Sequence, residues 1–218
     1  GRGGHASTPP AEGTAVDALV RALDRVRRYE TPIRISPDVQ RYFTALARSF
    51  PSLPPDKLVH LERSIREDDA FRKAFLAEPE RAARVRNTIA ITVLQGGPQT
   101  NVIPSQATAH LDCRLLPGED PNAMIAAIRA VIDDPGIAIE PLQPVVTASS
   151  SGTNTQLFRA IEATAAREAP GVPVVPTLLT SWTESALLRP LGIAAYGFDP
   201  LALDDKEAAL PHGDDERV

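Results

Sequence analysis

In the stretch TAVDALVRALDRVRRYE, residues 14 to 30, Val16, Leu19, Leu23 and Val26 recur at spacings of three and four. This spacing predicts an amphipathic helix with one buried face. Thr14 stands at its cap, and Asp17 follows three residues later as the second half of a capping box. From 31 to 87 the pattern breaks. Prolines at 32, 37, 51, 54, 55 and 79 cut it into pieces, and VQRYFTALARSF, DKLVHLERSI and DAFRKAFLAEPERAARVR read as helices between them. The segment is expected to be a helical insertion, with charged runs such as Arg66 to Asp69 on its solvated faces.

At 88 the period changes to two. TIAITVLQ alternates apolar and β-branched residues, GGPQT turns the chain, and SQATAHLDCRLL alternates again. In the second strand Ala107, Ala109, Leu111, Cys113 and Leu115 face the core, while Thr108, His110, Asp112 and Arg114 share the other side. Asp120 and Pro121 then open a helix through Ile132, with Met124, Ile125, Ile128, Val131 and Ile132 as its buried stripe. DPG turns the chain into a short expected strand, IAIEPL. Helix, strand, strand, helix, strand is a split βαβ lacking its first strand, so residues 1 to 143 are expected to form an α+β, ferredoxin-like domain with an antiparallel sheet.

Residues 144 to 153, PVVTASSSGT, are polar and make a domain boundary. Beyond them NTQLFRAIEATAARE is helical in pattern, and VPVVPTLL and IAAYGF read as buried strands. So few elements do not make an independent core. Residues 144 to 218 are therefore expected to complete a partial α/β domain.

Composition changes this picture only by exclusion. A net charge of −5 with no cluster of Lys and Arg leaves no basic surface for nucleic acid or a membrane. No apolar run is long enough for a spanning helix. The first residues lack the charged and apolar regions of a signal peptide. One cysteine, Cys113, excludes an internal disulfide and a cysteine-built zinc site, and fits a reducing compartment such as the cytoplasm. The opening GRGGHASTPP and the ending PHGDDERV read as the edges of a fragment.

Candidate chemistry is sparse when residues are taken singly. His212 is either a surface histidine beside acidic neighbours or a metal ligand, neutral imidazole being the commonest metal donor. Arg114 is either an ion pair with Asp112 or Glu119, or a bidentate clamp on a substrate carboxylate. Asn101 is a turn former or an amide donor to the same carboxylate. His60 and His110 are expected to be structural or exposed, Trp182 a packing residue, and Cys113 a small hydrophobe.

Taken in order, GRGGHASTPP, GGPQTNVIPSQATAHLDCRLLPGED, TESALLRPLGIAAYGF and PHGDDERV closely resemble the lid and last part of the catalytic domain in the co-catalytic zinc peptidases. That family includes acetylornithine deacetylases, succinyl-diaminopimelate desuccinylases, aminoacylases and glutamate carboxypeptidases. The helical insertion looks most like the carboxypeptidase S and N-acyl-amino-acid hydrolase branch. The resemblance implies two zinc ions per complete active site, with most ligands and the general base upstream of Gly1, and His212 as the last ligand. It implies that His5 is the lid histidine which, in dimeric members, crosses into the partner's site to stabilise the oxyanion, carried there on a glycine-rich loop by lid closure. Asn101 then matches the lid asparagine that holds substrate, and Arg114 the arginine that binds its free α-carboxylate.

One departure stands out. Relatives usually read GGTDS where this chain has SWTES, with Trp182 and Glu184 as pocket wall or, equally, an ordinary helix start capped at Thr183 or Ser181. The expected activity is hydrolysis of an amide or peptide bond beside a C-terminal or N-acyl amino acid, a peptide or N-acyl amino acid being the substrate and a homodimer through the lid being possible. The fragment alone is expected to be inactive. The alternative is a non-catalytic ferredoxin-like dimerisation or ligand-binding module, since fold alone does not fix function.

Overall fold

The computed structural model describes residues 1–50 and 52–198. His212 lies outside the described residues. The first regular helix, α1 (Ala15–Arg28), begins at a completed capping box. The Thr14 hydroxyl accepts from the Asp17 amide at 3.1 Å, and Asp17 accepts from the Thr14 amide at 2.8 Å. The Asp17 carboxyl also accepts from the Thr14 hydroxyl at 2.8 Å, and the two bonds it accepts, the backbone one foremost, hold it below its usual range.

Among the described residues, four strands form two separate antiparallel ladders. The longer joins β2 (Thr88–Gln95) to β4 (Thr108–Arg114), and the shorter joins β1 (Gly4–His5) to β3 (Val102–Ile103). On the long ladder Thr88 faces Arg114 at one end and Gln95 faces Thr108 at the other, with one extra residue, Thr92, bulged out of β2. The bulge switches the phase of β2, so Leu94 pairs with Ala109 and Val93 with His110. Leu111, Cys113 and Leu115 turn to the core as expected. They meet Ala22 and Val26 of α1 and Met124, Ile128 and Ile132 of α7 (Pro121–Ile132), itself capped by Asp120. Arg25 ties the end of α1 to that of α7 through the Ile132 carbonyl.

Between α1 and β2 the chain makes α2 (Pro37–Ala45), a 3₁₀ turn (Ala47–Ser49), α3 (Pro55–Val59), α4 (Leu61–Glu67), α5 (Asp69–Leu76) and α6 (Pro79–Ala83). They enclose a core of their own, centred on Phe43 and Phe75, both fully buried and edge to face at 5.0 Å. The chain leaves and returns at one point. Ile33 bridges Arg86, the Arg34 amide donates to the Val85 carbonyl at 2.7 Å, and the buried Thr31 hydroxyl donates to the Asn87 carbonyl at 2.5 Å.

Three expected strands do not form. Residues 137 to 142 make no ladder, although Ile137 and Ile139 still pack against the α1–α7 core. The alternation reported burial correctly, but a strand also needs a partner edge, and none among the described residues pairs with it. Residues 172 to 179 and 193 to 198 likewise make no ladder, and Val172 and Phe198 are exposed rather than buried. In this part α8 (Gln156–Glu168) starts at Thr155, and α9 (Ser185–Leu188) is a single turn. The expected cap at Thr183 or Ser181 is not used: Glu184 occupies the cap position and makes no side-chain capping bond. Phe158 and Ala195 are the buried apolar residues here, and the Arg189 guanidinium binds them in by donating to the carbonyls of Ser149 and Ala195, both at 2.9 Å.

Replacing Phe75 with alanine should cost about 3–5 kcal/mol, read as a lower urea midpoint, because the cavity is walled by other aromatics that cannot collapse into it. Thr14→Ala should cost about 1 kcal/mol. Since Asp17 is depressed in the fold, its contribution is present at neutral pH and lost on acidification, so the Thr14→Ala deficit should shrink as the carboxylate protonates.

Candidate functional site

The Gly-rich start is pinned rather than loose. Gly4 pairs with Ile103 and His5 with Val102, and the Ala6 amide donates to the Asn101 carbonyl at 3.0 Å. A side chain at Gly3 would press to 3.2 Å of the Ile103 carbonyl, so the absence of Cβ lets β1 lie this close to β3. His5 and Asn101, separated in sequence by α1, the helices α2 to α6 and β2, are thereby brought to one corner with both side chains exposed. After His5 the chain turns back, the Thr8 amide donating to the His5 carbonyl at 3.1 Å. Ser7, which no pattern in the sequence singles out, lands beside the imidazole, its hydroxyl 2.8 Å from Nδ1.

Arg114 is elsewhere. It closes the far end of the β2–β4 ladder, about 20 Å along β4 from Thr108 and the turn that carries Asn101. Its Nε and Nη2 grip both oxygens of Asp112, at 2.6 and 2.9 Å, on the face turned away from the α1–α7 core. Of the two ion-pair partners expected from sequence, Asp112 is therefore the one used, while Glu119 pairs with Arg34 at 2.7 Å. A side-on grip of this kind occupies Nε and one terminal nitrogen. It leaves the end-on fork, Nη1 with the second hydrogen of Nη2, available to another carboxylate. Arg114 and Asp112 line a broad cleft of about 3220 Å³ that also borders Trp182 and Tyr196; His5 and Asn101 do not line it.

Of the other candidates, His60 is exposed at the junction of α3 and α4, and His110 is half-buried on β4. Trp182 is largely exposed rather than packed. Cys113 behaves as a small hydrophobe: burial first, and the charge of Asp112 second, push its thiol up. Among the described residues, no group of three or more His, Cys, Asp or Glu side chains is placed to hold a metal ion, and no helix is long and apolar enough to cross a membrane. Arg189 carries only a faint signal in the sequence, a lone cation in the otherwise apolar run SALLRPLGIAAYG.

Residues 1–140 match the model of the M20 peptidase dimerisation domain. The chain belongs to that family. The match covers the α1–α7 layer, both ladders and the helices between them. Along 99% of its length the chain is 27% identical to "Probable carboxypeptidase S-like 2" of Dictyostelium discoideum, and it spans 41% of that protein. To the human "N-fatty-acyl-amino acid synthase/hydrolase PM20D1" it is 26% identical, again over 99% of this chain and 43% of the relative. The chain thus spans about two-fifths of the length of these curated relatives. Among solved structures, an M20 family metallo-carboxypeptidase from Sulfolobus solfataricus superposes with a TM-score of 0.56 at 16% identity, over 88% of this chain and 52% of that one. That likeness is one of fold.

The raised thiol of Cys113 gives a direct check. Its reaction with a disulfide reagent at neutral pH should be slower than that of a free cysteine and should accelerate only at more alkaline pH than the free thiol requires. A fast reaction at neutral pH in the folded protein would contradict its placement.

Proposed function

We propose that this chain supplies the lid and closing part of an M20 metallohydrolase that cleaves an amide or peptide bond beside a C-terminal or N-acyl amino acid. The observation that carries the reading is the corner formed by β1 and β3, where an exposed histidine and an exposed asparagine are held together by backbone pairing. Alignment over nearly the whole chain with a carboxypeptidase S-like protein and an N-acyl-amino-acid hydrolase supports the substrate class. In this reading residues 1 to 143 are the lid, with 31 to 87 inserted in it, and 144 to 218 belong to the catalytic domain.

M20 peptidases generally use zinc. The described residues do not form a site for it, and the expected ligand His212 lies outside them. What this chain's own residues contribute is recognition and charge stabilisation. The His5 imidazole donates to the carbonyl oxygen as it gains negative charge. Asn101 orients the substrate beside it, and the open end-on fork of Arg114 takes the free carboxylate, with Asp112 holding the guanidinium from the side. Lid closure then excludes water from the site.

The separation of the corner from Arg114 fits a homodimer in which one active site takes His5 and Asn101 from one subunit and Arg114 from the other. Two inactive variants, His5→Ala and Arg114→Ala, should therefore restore part of the activity when mixed into heterodimers, because one of the two sites is then intact. No restoration in heterodimers isolated by two tags would mean that a single subunit supplies both residues of each site.

In the full-length protein, His5→Ala should lower turnover about a hundredfold to a thousandfold while leaving zinc content unchanged. Unchanged turnover is the outcome expected of the non-catalytic module. Arg114→Lys should raise KM for free-acid substrates and have little effect on their amides, since an ammonium cannot reproduce the planar fork. Equal effects on acid and amide would remove Arg114 from carboxylate binding.

A further inference from the structure

The contacts at the His5 ring determine where its proton sits. Nδ1 receives the Ser7 backbone amide at 3.2 Å and lies 2.8 Å from the Ser7 hydroxyl. A backbone N–H can only donate, so Nδ1 is the unprotonated nitrogen, and the hydroxyl, which can act either way, must also present its hydrogen to it. The proton of the neutral ring is therefore on Nε2, at the opposite edge. The same turn is tightened by the Thr8 amide and hydroxyl, which reach the His5 carbonyl at 3.1 and 3.4 Å.

We propose that Ser7 is a positioning residue that holds His5 in its Nε2–H tautomer and aims that hydrogen outward as the donor to the developing oxyanion. This rests on the lid-donor reading of His5 given above. The chemistry is donation without transfer: the ring proton stays on Nε2, and no bond to hydrogen is made or broken. A histidine nitrogen engaged by a fixed partner sets the tautomer of the other nitrogen. On an exposed ring, that partner also removes the rotational freedom that would otherwise have to be lost on the way to the transition state. Local geometry makes this possible because the turn returns Ser7, two residues on, to the same side of β1 as the imidazole.

The test is a two-bond ¹⁵N–¹H correlation on ¹⁵N-histidine-labelled full-length protein, with the His5 signal assigned through His5→Gln, alongside steady-state kinetics. Wild type should have Nε2 protonated and Nδ1 bare. Ser7→Ala keeps the backbone amide and removes the hydroxyl, so it should fold normally, shift the His5 nitrogens toward a tautomer average and lower kcat roughly three- to tenfold with little change in KM. Ser7→Thr should restore both the spectrum and kcat. A wild-type proton on Nδ1, or full turnover in Ser7→Ala beside a severe loss in His5→Gln, would overturn the proposal alone. Full turnover in His5→Gln would instead sink the lid-donor reading, and the proposal with it.

Discussion

The pairing of β2 with β4 is the constraint from which the rest of the geometry follows. One ladder sets which residues meet the helices and which do not, and its two ends set where chemistry can be placed. Because side chains alternate across the ladder, turning Leu111 and Cys113 toward α1 and α7 obliges Asp112 and Arg114 to face the other way. Because the strands are antiparallel, the turn bearing Asn101 and the Arg114 guanidinium stand at opposite ends. The short β1–β3 ladder then adds His5 to the turn end and to no other place.

Local signals were legible in the sequence wherever partners lie within a few residues. The Thr14–Asp17 box and the Asp120–Pro121 start both form as the spacing implied, since a cap is satisfied within one helical turn. The core face of β4 was legible for a similar reason, a two-residue period needing no knowledge of the partner. The bulge at Thr92 was not. TIAITVLQ reads as regular alternation, and only the register against β4 reveals the additional residue.

The stretches read as strands beyond residue 136 illustrate the converse. Apolar alternation specifies a face to be buried, not an edge to be paired, so Ile137 and Ile139 bury against the helices without joining a ladder. Of the candidate site, the resemblance of the ordered motifs to a known family pointed to His5, Asn101 and Arg114, but their grouping depended on long-range pairing that no local pattern encodes. The link from Ser7 to His5 was available in principle, since a serine two residues past a histidine on a turn can reach its ring, but the spacing is too common to stand out.

The helices from α2 to α6 depart and return through a hydrogen-bonded stem at residues 31 to 34 and 85 to 87. With the two sides of that stem held together by these bonds, the entropy of closing the excursion depends only logarithmically on its length, each doubling costing about 0.6 kcal/mol. Helices between the two sides of the stem can therefore be lengthened, shortened or replaced without altering the register of the β2–β4 ladder. The helical excursion is thus decoupled, in free energy, from upkeep of the scaffold that carries it.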